Sequence, residues 1–447
     1  MFIDKSINQK ALLNFVKKYK EIGYLQQFAV VHNGDVKIKF AVEPYKEEDI
    51  KQLFSLSKTF TSMAIGRAVD EGRLKLDEKV IDIFPFFAPQ NPSEYMKQMT
   101  VFNLLTMNTG HESCVMPKIC MGGNPIKNFM ELDIPYEPGT HFAYNSGASL
   151  ILSAIINVRC GMSLDKYLEP LYEALNIENH YYEEIDGISL GAAGLHVNID
   201  SLIRFGKFLS NEGMVDGKQV ISKEYVKLAT SKCVDSDPKA TVDWTKGYGL
   251  HLWMGNEGYR CDGAYGQVLM VLPEKNIIIA CQSEVNGMQA QVDLIYELIN
   301  NLYSDDVVLN LEDEINNVYK IEKSKDITFD KLKFELEDNY FNFNELLIEK
   351  RNDKVKVTLF GKENIIIEAG NGYHIKNSFY ATGLKRKLSD MMPAFYEETI
   401  ASCYYKYEDD VLEIFMKNHN TPLTQSLVIN LKNDLRMIIN NKVIKFK

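Results

Sequence analysis

Across residues 7–22 the apolar positions Ala11, Leu12, Phe15, Val16 and Tyr19 recur at helical spacing, which predicts an amphipathic helix. Two apolar-rich runs, 28–31 and 36–40, flank Asn33-Gly34, a pair that favours the tight turn of a β-hairpin. A helix is expected from about Ser55 to Glu71, with Gly72 able to end it. From 101 to 232 helices and loops dominate, with amphipathic stretches at 147–159, 164–175, 200–211 and 222–230. Strand-like runs return at 248–254, 267–272 and 276–281, and a helical pattern covers 288–303. Early strands, a helical middle and late strands ending in a helix predict an α+β domain whose sheet is closed by both ends.

The pattern changes after Ser304-Asp305-Asp306. Short alternating runs such as Lys354–Phe360 and Ser426–Leu431 fill the remainder, and Lys432-Asn433-Asp434 turns the chain into Leu435–Ile439. Such strands predict an antiparallel barrel, of lipocalin-like form, or a sandwich. A chain of 447 residues exceeds what one core usually supports, so the expected organisation is a domain over 1–305, a polar linker over 306–325 and a β domain over 326–447. The composition is that of a globular protein, with 45% apolar and 25% charged residues. A net charge of −11 argues against a nucleic-acid or anionic-membrane partner, and the short basic run Lys385-Arg386-Lys387 reads as a solvated face. Seven scattered cysteines without a Cys-x-x-Cys pair fit reduced thiols. The first ten residues hold no apolar core of a secretory signal, and no run approaches the about 18 apolar residues of a membrane span. A cytoplasmic protein is expected.

Ser-x-x-Lys occurs three times, and context separates the copies. Ser236–Lys239 contains a proline in a polar loop, so the two side chains are not fixed on one helical face. Ser163 precedes an amphipathic helix and reads as its N-cap. Ser55 begins an apolar-rich helix, where the spacing puts Ser55 and Lys58 on one face and the helix N-terminus favours negative charge on the serine oxygen. An N-cap serine beside a solvated lysine would look the same in isolation. Four further segments decide between them: Leu53–Thr61, Thr100–Gly110, Tyr136–Gly147 and Cys261–Lys275, with Gly191–Phe205 lying in the same order.

Together these segments resemble the serine β-lactamase and penicillin-binding-protein family, in particular class C β-lactamases and their esterase and D-peptidase relatives. The resemblance implies an antiparallel sheet flanked by helices, with a helical lobe and the cleft between them. It assigns Ser55 as nucleophile, Lys58 as proton acceptor and Tyr144 as a partner that shares or relays the proton. It puts the oxyanion donors on the backbone N–H groups of Ser55 and Ala264, and substrate contacts on Ser146, Cys261, Asp262, Gly263 and Gln267. Gly263, lacking a Cβ, would let substrate lie against its strand. Two positions depart from the family: Ser146 stands where asparagine is usual, and Cys261 where lysine or histidine is. The missing cation would hold a substrate carboxylate. An esterase, amidase or D-amino-acid peptidase therefore fits better than a strong penicillinase, with a small ester, amide or peptide as substrate and no metal or organic cofactor.

Other readings compete. Gly187-Ile-Ser-Leu-Gly191 has the form of a nucleophile elbow, with His196 and His251 downstream, but lacks the apolar strand before it and the helix after it. The eight histidines show no His-Glu-x-x-His or Cys/His grouping, which argues against a metal site. A catalytically weakened protein with a binding or regulatory role is the alternative of a different class. The C-terminal strands offer a surface for self-association or, less simply, a barrel for an apolar ligand.

Overall fold

The computed structural model describes residues 1–185, 187–339, 341–380, 398–432, 436–439 and 442–447. Lys385–Lys387 and the turn through Asn433–Leu435 lie outside the described residues. The chain forms two compact units: Met1–Ala41 with Glu47–Leu309, and Val42–Lys46 with Asn310–Lys447.

The first unit is built on a seven-stranded antiparallel sheet, in the order Phe2–Ile3, Asp35–Ala41, Gly23–His32, Ile277–Val285, Gln267–Leu272, Tyr259–Gly263, Trp253–Met254. Its first hairpin turns at Asn33 and Gly34 with φ of 52° and 83°, the pair of left-handed residues that matches the twist of the strands. The central pairing of Ile277–Val285 with Gly23–His32 joins the two ends of this unit in one sheet. Side-chain alternation then gives each face its own cover. Phe28 and Cys281 meet Phe15 and Tyr19 of the helix Gln9–Ile22, which also packs on Met288–Asn300. On the other face Ile278 and Leu269 press against Gly206 of the helix Ile199–Ser210. With both faces covered, Gln267–Leu272 is buried throughout and reads as a continuous rather than an alternating run. The helical lobe is centred on Ser57–Asp70 and Ser146–Cys160, which pack on each other.

Two local expectations change. The run 248–254 yields a strand only at Trp253–Met254, because His251 turns the chain with φ of 67° and gives its N–H to the Leu105 carbonyl at 3.0 Å. Part of the segment read as a linker forms the helix Leu311–Val318, with Glu312, Asp313 and Glu314 in the first turn, where the helix dipole favours acids.

The second unit is a mainly antiparallel sheet, with one parallel pairing where Gly370 of Ile365–Gly370 meets Tyr404 of Glu398–Glu408, and alternate residues of strands such as Glu345–Arg351 and Thr424–Asn430 are buried. Lys331–Glu335 and Lys442–Lys445 form the ends of the sheet, and they meet through a bridge between Leu336 and Phe446, so the sheet curls back on itself. Leu346, Ile348, Val357, Ile367, Ile414 and Leu427 are among the apolar side chains that fill its core. Among the described residues no single helix is long and apolar enough to cross a membrane.

Candidate active site

Ser55 sits on a 3₁₀ turn, Phe54–Leu56, that runs directly into the helix Ser57–Asp70. The α-helix thus begins later than the sequence suggests. Residues three apart eclipse one another in a 3₁₀ turn, so Ser55 and Lys58 still meet. Lys58 Nζ donates to Ser55 Oγ at 2.9 Å and to the Ala192 carbonyl at 2.8 Å. The lysine is 1% exposed, and this loss of hydration lowers its pKa to about 7, opposed by the nearby Cys114. The Ala192 carbonyl is held in place by its neighbour, since Thr61 of the same helix donates to the Gly191 carbonyl at 2.7 Å. Ser57 is buried and turned away, its Oγ accepting from the Leu195 N–H at 3.2 Å.

Tyr144 reaches the same spot from another part of the lobe. The Thr100–Gly110 segment lays down a row of acceptors for the chain before it: Gly110 O takes the Tyr136 N–H at 3.1 Å, Asn108 O the Gly139 N–H at 2.8 Å, and Met107 O the Ala143 N–H at 2.9 Å. Asn145 then caps the helix Ser146–Cys160, accepting from Gly147 N–H at 3.0 Å, and ties the cap to Val115 N–H at 3.1 Å. Between these anchors the Tyr144 ring stacks on Trp253 at 5.4 Å, meets Tyr248 edge-on and lies 4.9 Å below the Lys58 ammonium. Burial raises its phenol above the ordinary range, opposed by the nearby Ser55 hydroxyl.

Ala264 is exposed in the short loop Ala264–Gly266 between two strands of the sheet. Among the described residues neither its N–H nor that of Ser55 has an acceptor. Both are therefore free to donate to a ligand.

The five expected substrate contacts divide differently. Ser146 is half-buried in the first turn of its helix, its N–H directed at Cys114 Sγ at 3.3 Å. Cys261 is 1% exposed and its thiol, pushed up to about 12 by burial, is inert packing beside Thr59. Asp262 is engaged by Arg260, whose Nη2 lies 3.2 Å from Oδ2, while Nη1 reaches Asp243 at 3.2 Å. Gly263 faces protein rather than substrate: a Cβ there would meet the Leu53 carbonyl oxygen at 2.0 Å. Gln267 is fully buried, and its Nε2 donates to the Ser283 carbonyl at 2.8 Å and the Ala264 carbonyl at 3.3 Å. These last three shape the site from behind. Alternation along a strand already places Arg260 and Asp262 on one face, which is the signal that could have paired them. The contributions of Ala192 and Trp253 left no comparable mark in the sequence.

The rival serines are structural. Ser189 Oγ donates to Glu184 at 3.2 Å in a buried two-residue strand, Ser163 caps its helix, and Ser236 donates to the Trp244 carbonyl at 2.6 Å. His251 lies between Ser149 Oγ at 2.9 Å and the Leu105 carbonyl at 2.8 Å, and burial lowers its pKa to about 3. Among the described residues no three histidine, cysteine or acidic side chains are grouped to hold a metal ion.

A serine, a buried lysine and a tyrosine are gathered between an antiparallel sheet and a helical lobe, and the fold is that of the β-lactamase and penicillin-binding-protein class. The family model described as Beta-lactamase matches residues 14–300, and the chain belongs to that family, whose members are generally serine hydrolases. Penicillin-binding protein 4 of Amycolatopsis lactamdurans is 24% identical over 300 residues, covering 57% of this chain and 77% of its own. Among solved structures, the octameric penicillin-binding protein homologue of Pyrococcus abyssi is 16% identical with a TM-score of 0.53, covering 98% of this chain and 99% of its own. A Bacillus anthracis chain described as a 6-aminohexanoate-dimer hydrolase is 21% identical with a TM-score of 0.52, over 67% of this chain and 79% of its own.

Proposed function

We propose that the first unit hydrolyses a small ester or amide through an acyl-serine intermediate on Ser55. The observation that carries this reading is a buried Lys58, titrating near 7, at 2.9 Å from the Ser55 oxygen. A neutral lysine can direct one N–H at the Ala192 carbonyl and turn its lone pair toward the serine hydroxyl. It then takes the proton as Ser55 Oγ bonds to the acyl carbon. The oxygen of the tetrahedral intermediate would receive the N–H groups of Ser55 and Ala264. Tyr144, kept as a neutral phenol by burial, suits the passage of the proton from Lys58 to the departing group. Water then attacks the acyl-serine by the reverse route.

Neutral substrates fit this cleft best. The position that carries a lysine or histidine in much of the family holds a buried cysteine, and the neighbouring Arg260 guanidinium is already shared by Asp262 and Asp243. A charge-assisted hydrogen bond contributes roughly 1.5–3 kcal/mol, so one to two decades of preference for carboxylate-bearing substrates is absent. Esterase, amidase or D-amino-acid peptidase activity is expected over strong β-lactam hydrolysis.

The test has two parts. A fluorophosphonate should label Ser55 alone; an adduct mapped to Ser163 or Ser189 would remove the assignment. A panel of p-nitrophenyl esters, D-alanyl amides and nitrocefin should show turnover of the neutral esters or amides and weak nitrocefin hydrolysis. Nitrocefin turnover at the rate of a dedicated β-lactamase would show that another cation serves the carboxylate.

A further inference from the structure

The two oxyanion donors come from separate pieces of chain, and each has a bulky residue in a strained conformation beside it. Phe54, immediately before Ser55, has φ of 48°, and Tyr265, immediately after Ala264, has φ of 62°. The left-handed region is disfavoured for such side chains and persists only where surrounding contacts impose it. Here the two residues pack on each other. Their rings lie 5.3 Å apart at 60°, with Phe54 buried and Tyr265 half-buried.

The backbones behind the rings are fixed independently. The Leu53 carbonyl presses on Gly263, where a Cβ would stand 2.0 Å away. The Tyr265 carbonyl accepts from Val285 N–H at 3.0 Å and Ser283 Oγ at 3.3 Å, and Gln267 holds the Ala264 carbonyl at 3.3 Å. These bonds seat the loop on its own sheet. The ring pair adds a side-chain link between that loop and the turn carrying the serine.

We infer that the Phe54–Tyr265 ring pair is a positioning device that sets the separation of the Ser55 and Ala264 N–H groups for a tetrahedral oxyanion. The inference rests on the acyl-serine reading above. Donors must lie close to the position that the oxyanion, rather than the ground-state carbonyl, will occupy. A loosened loop would therefore penalise the transition state while leaving substrate binding nearly intact.

The test compares a p-nitrophenyl ester with its thionoester, whose sulfur is a poorer acceptor for the oxyanion donors. Tyr265→Asn removes the ring but tolerates the left-handed backbone; Tyr265→Phe keeps the ring and drops the hydroxyl; Phe54→Leu keeps apolar bulk alone. In Tyr265→Asn the ester kcat should fall about 10–100-fold, a part of what loss of one donor brings, with KM within about twofold. The thionoester rate should change little, so the ester-to-thionoester ratio collapses, and Tyr265→Phe should restore it. Phe54→Leu should show the same collapse in milder form, which keeps the test open should Tyr265→Asn fail to fold. Equal losses on ester and thionoester, an unchanged ester kcat, or a Tyr265→Phe as impaired as Tyr265→Asn would each overturn the inference. Failure of the underlying reading looks different: wild-type protein would escape fluorophosphonate labelling at Ser55, or Ser55→Ala would retain full activity.

Discussion

A lysine ammonium stripped of water is unfavourable, and a fold that keeps one gives up stability for reactivity. Lys58 shows that exchange in a measurable form. Its folded pKa near 7 lies below an unfolded value of about 10.4, a gap worth on the order of 4 kcal/mol. The sign follows from proton binding: between these two values the unfolded chain holds a proton that the folded chain has released. The contribution is thus fully present above about pH 10.4 and is lost as pH falls through about 7. Lys58→Met, which retains the bulk without the charge, should be more stable than wild type by about 1–3 kcal/mol at pH 6, with the gap narrowing toward pH 10. Denaturant unfolding across that range measures it, and a gap independent of pH would mean that folding does not lower the pKa of Lys58. The same titration should appear in catalysis, with kcat/KM rising with pH to a plateau through a midpoint near 7. Tyr144 cannot be the ionised base at neutral pH, since burial raises its phenol. Tyr144→Phe should lower the acylation rate by about two orders of magnitude or more through loss of the relay, without moving the Lys58 midpoint. Near-normal acylation would remove the tyrosine from the mechanism.

At the scale of elements, the strand Tyr259–Gly263 matters for what lies against it. Gly263 was expected to open the strand to substrate, yet the atom it admits is the Leu53 carbonyl, so the strand and the turn bearing Ser55 are packed backbone to backbone. Gly263→Ala should push that turn away, slowing fluorophosphonate labelling by more than about tenfold and destabilising the protein by about 1–3 kcal/mol. Labelling at the wild-type rate would show that the turn adapts without moving Ser55. The sequence made some of this legible. Period and turn chemistry indicated the Asn33-Gly34 hairpin and the helices Gln9–Ile22, Ser146–Cys160 and Ile199–Ser210. Ser55, Lys58 and Tyr144 followed from segment order and resemblance, and the structure gathers all three. What escaped was the direction of contact at Asp262, Gly263 and Gln267. A sequence shows that a residue flanks a motif, but whether its neighbour is solvent, substrate or another strand depends on pairings across the fold. The partner of Gly263 is separated from it by some two hundred residues, and Arg260 completes its ion pairing through Asp243 on a separate 3₁₀ turn.

At the scale of the molecule, the division of the chain is less simple than one cut. Val42–Lys46 leaves the first unit between the strand Asp35–Ala41 and the turn before Ser55, and it belongs to the second unit, where Tyr45 packs edge-on against His419 at 5.6 Å. Val42 and Tyr45 are both buried. We propose that the second unit governs access to the cleft or self-association rather than the chemistry, because Ser55, Lys58, Tyr144 and Ala264 all lie in the first. A protein truncated after Leu309 should therefore retain Ser55 labelling while changing its assembly state or its substrate-size preference, as read by light scattering and by the ester panel. Truncation also strips the cover from Val42 and Tyr45, leaving two large apolar side chains on an exposed segment just ahead of the nucleophile turn. The truncated chain should consequently be less soluble than a second version carrying Val42→Ser and Tyr45→Ser, and both should be labelled. If the polar version is also insoluble, or folds without labelling, the two units form one cooperative structure and the second is required to hold the Ser55 turn in place.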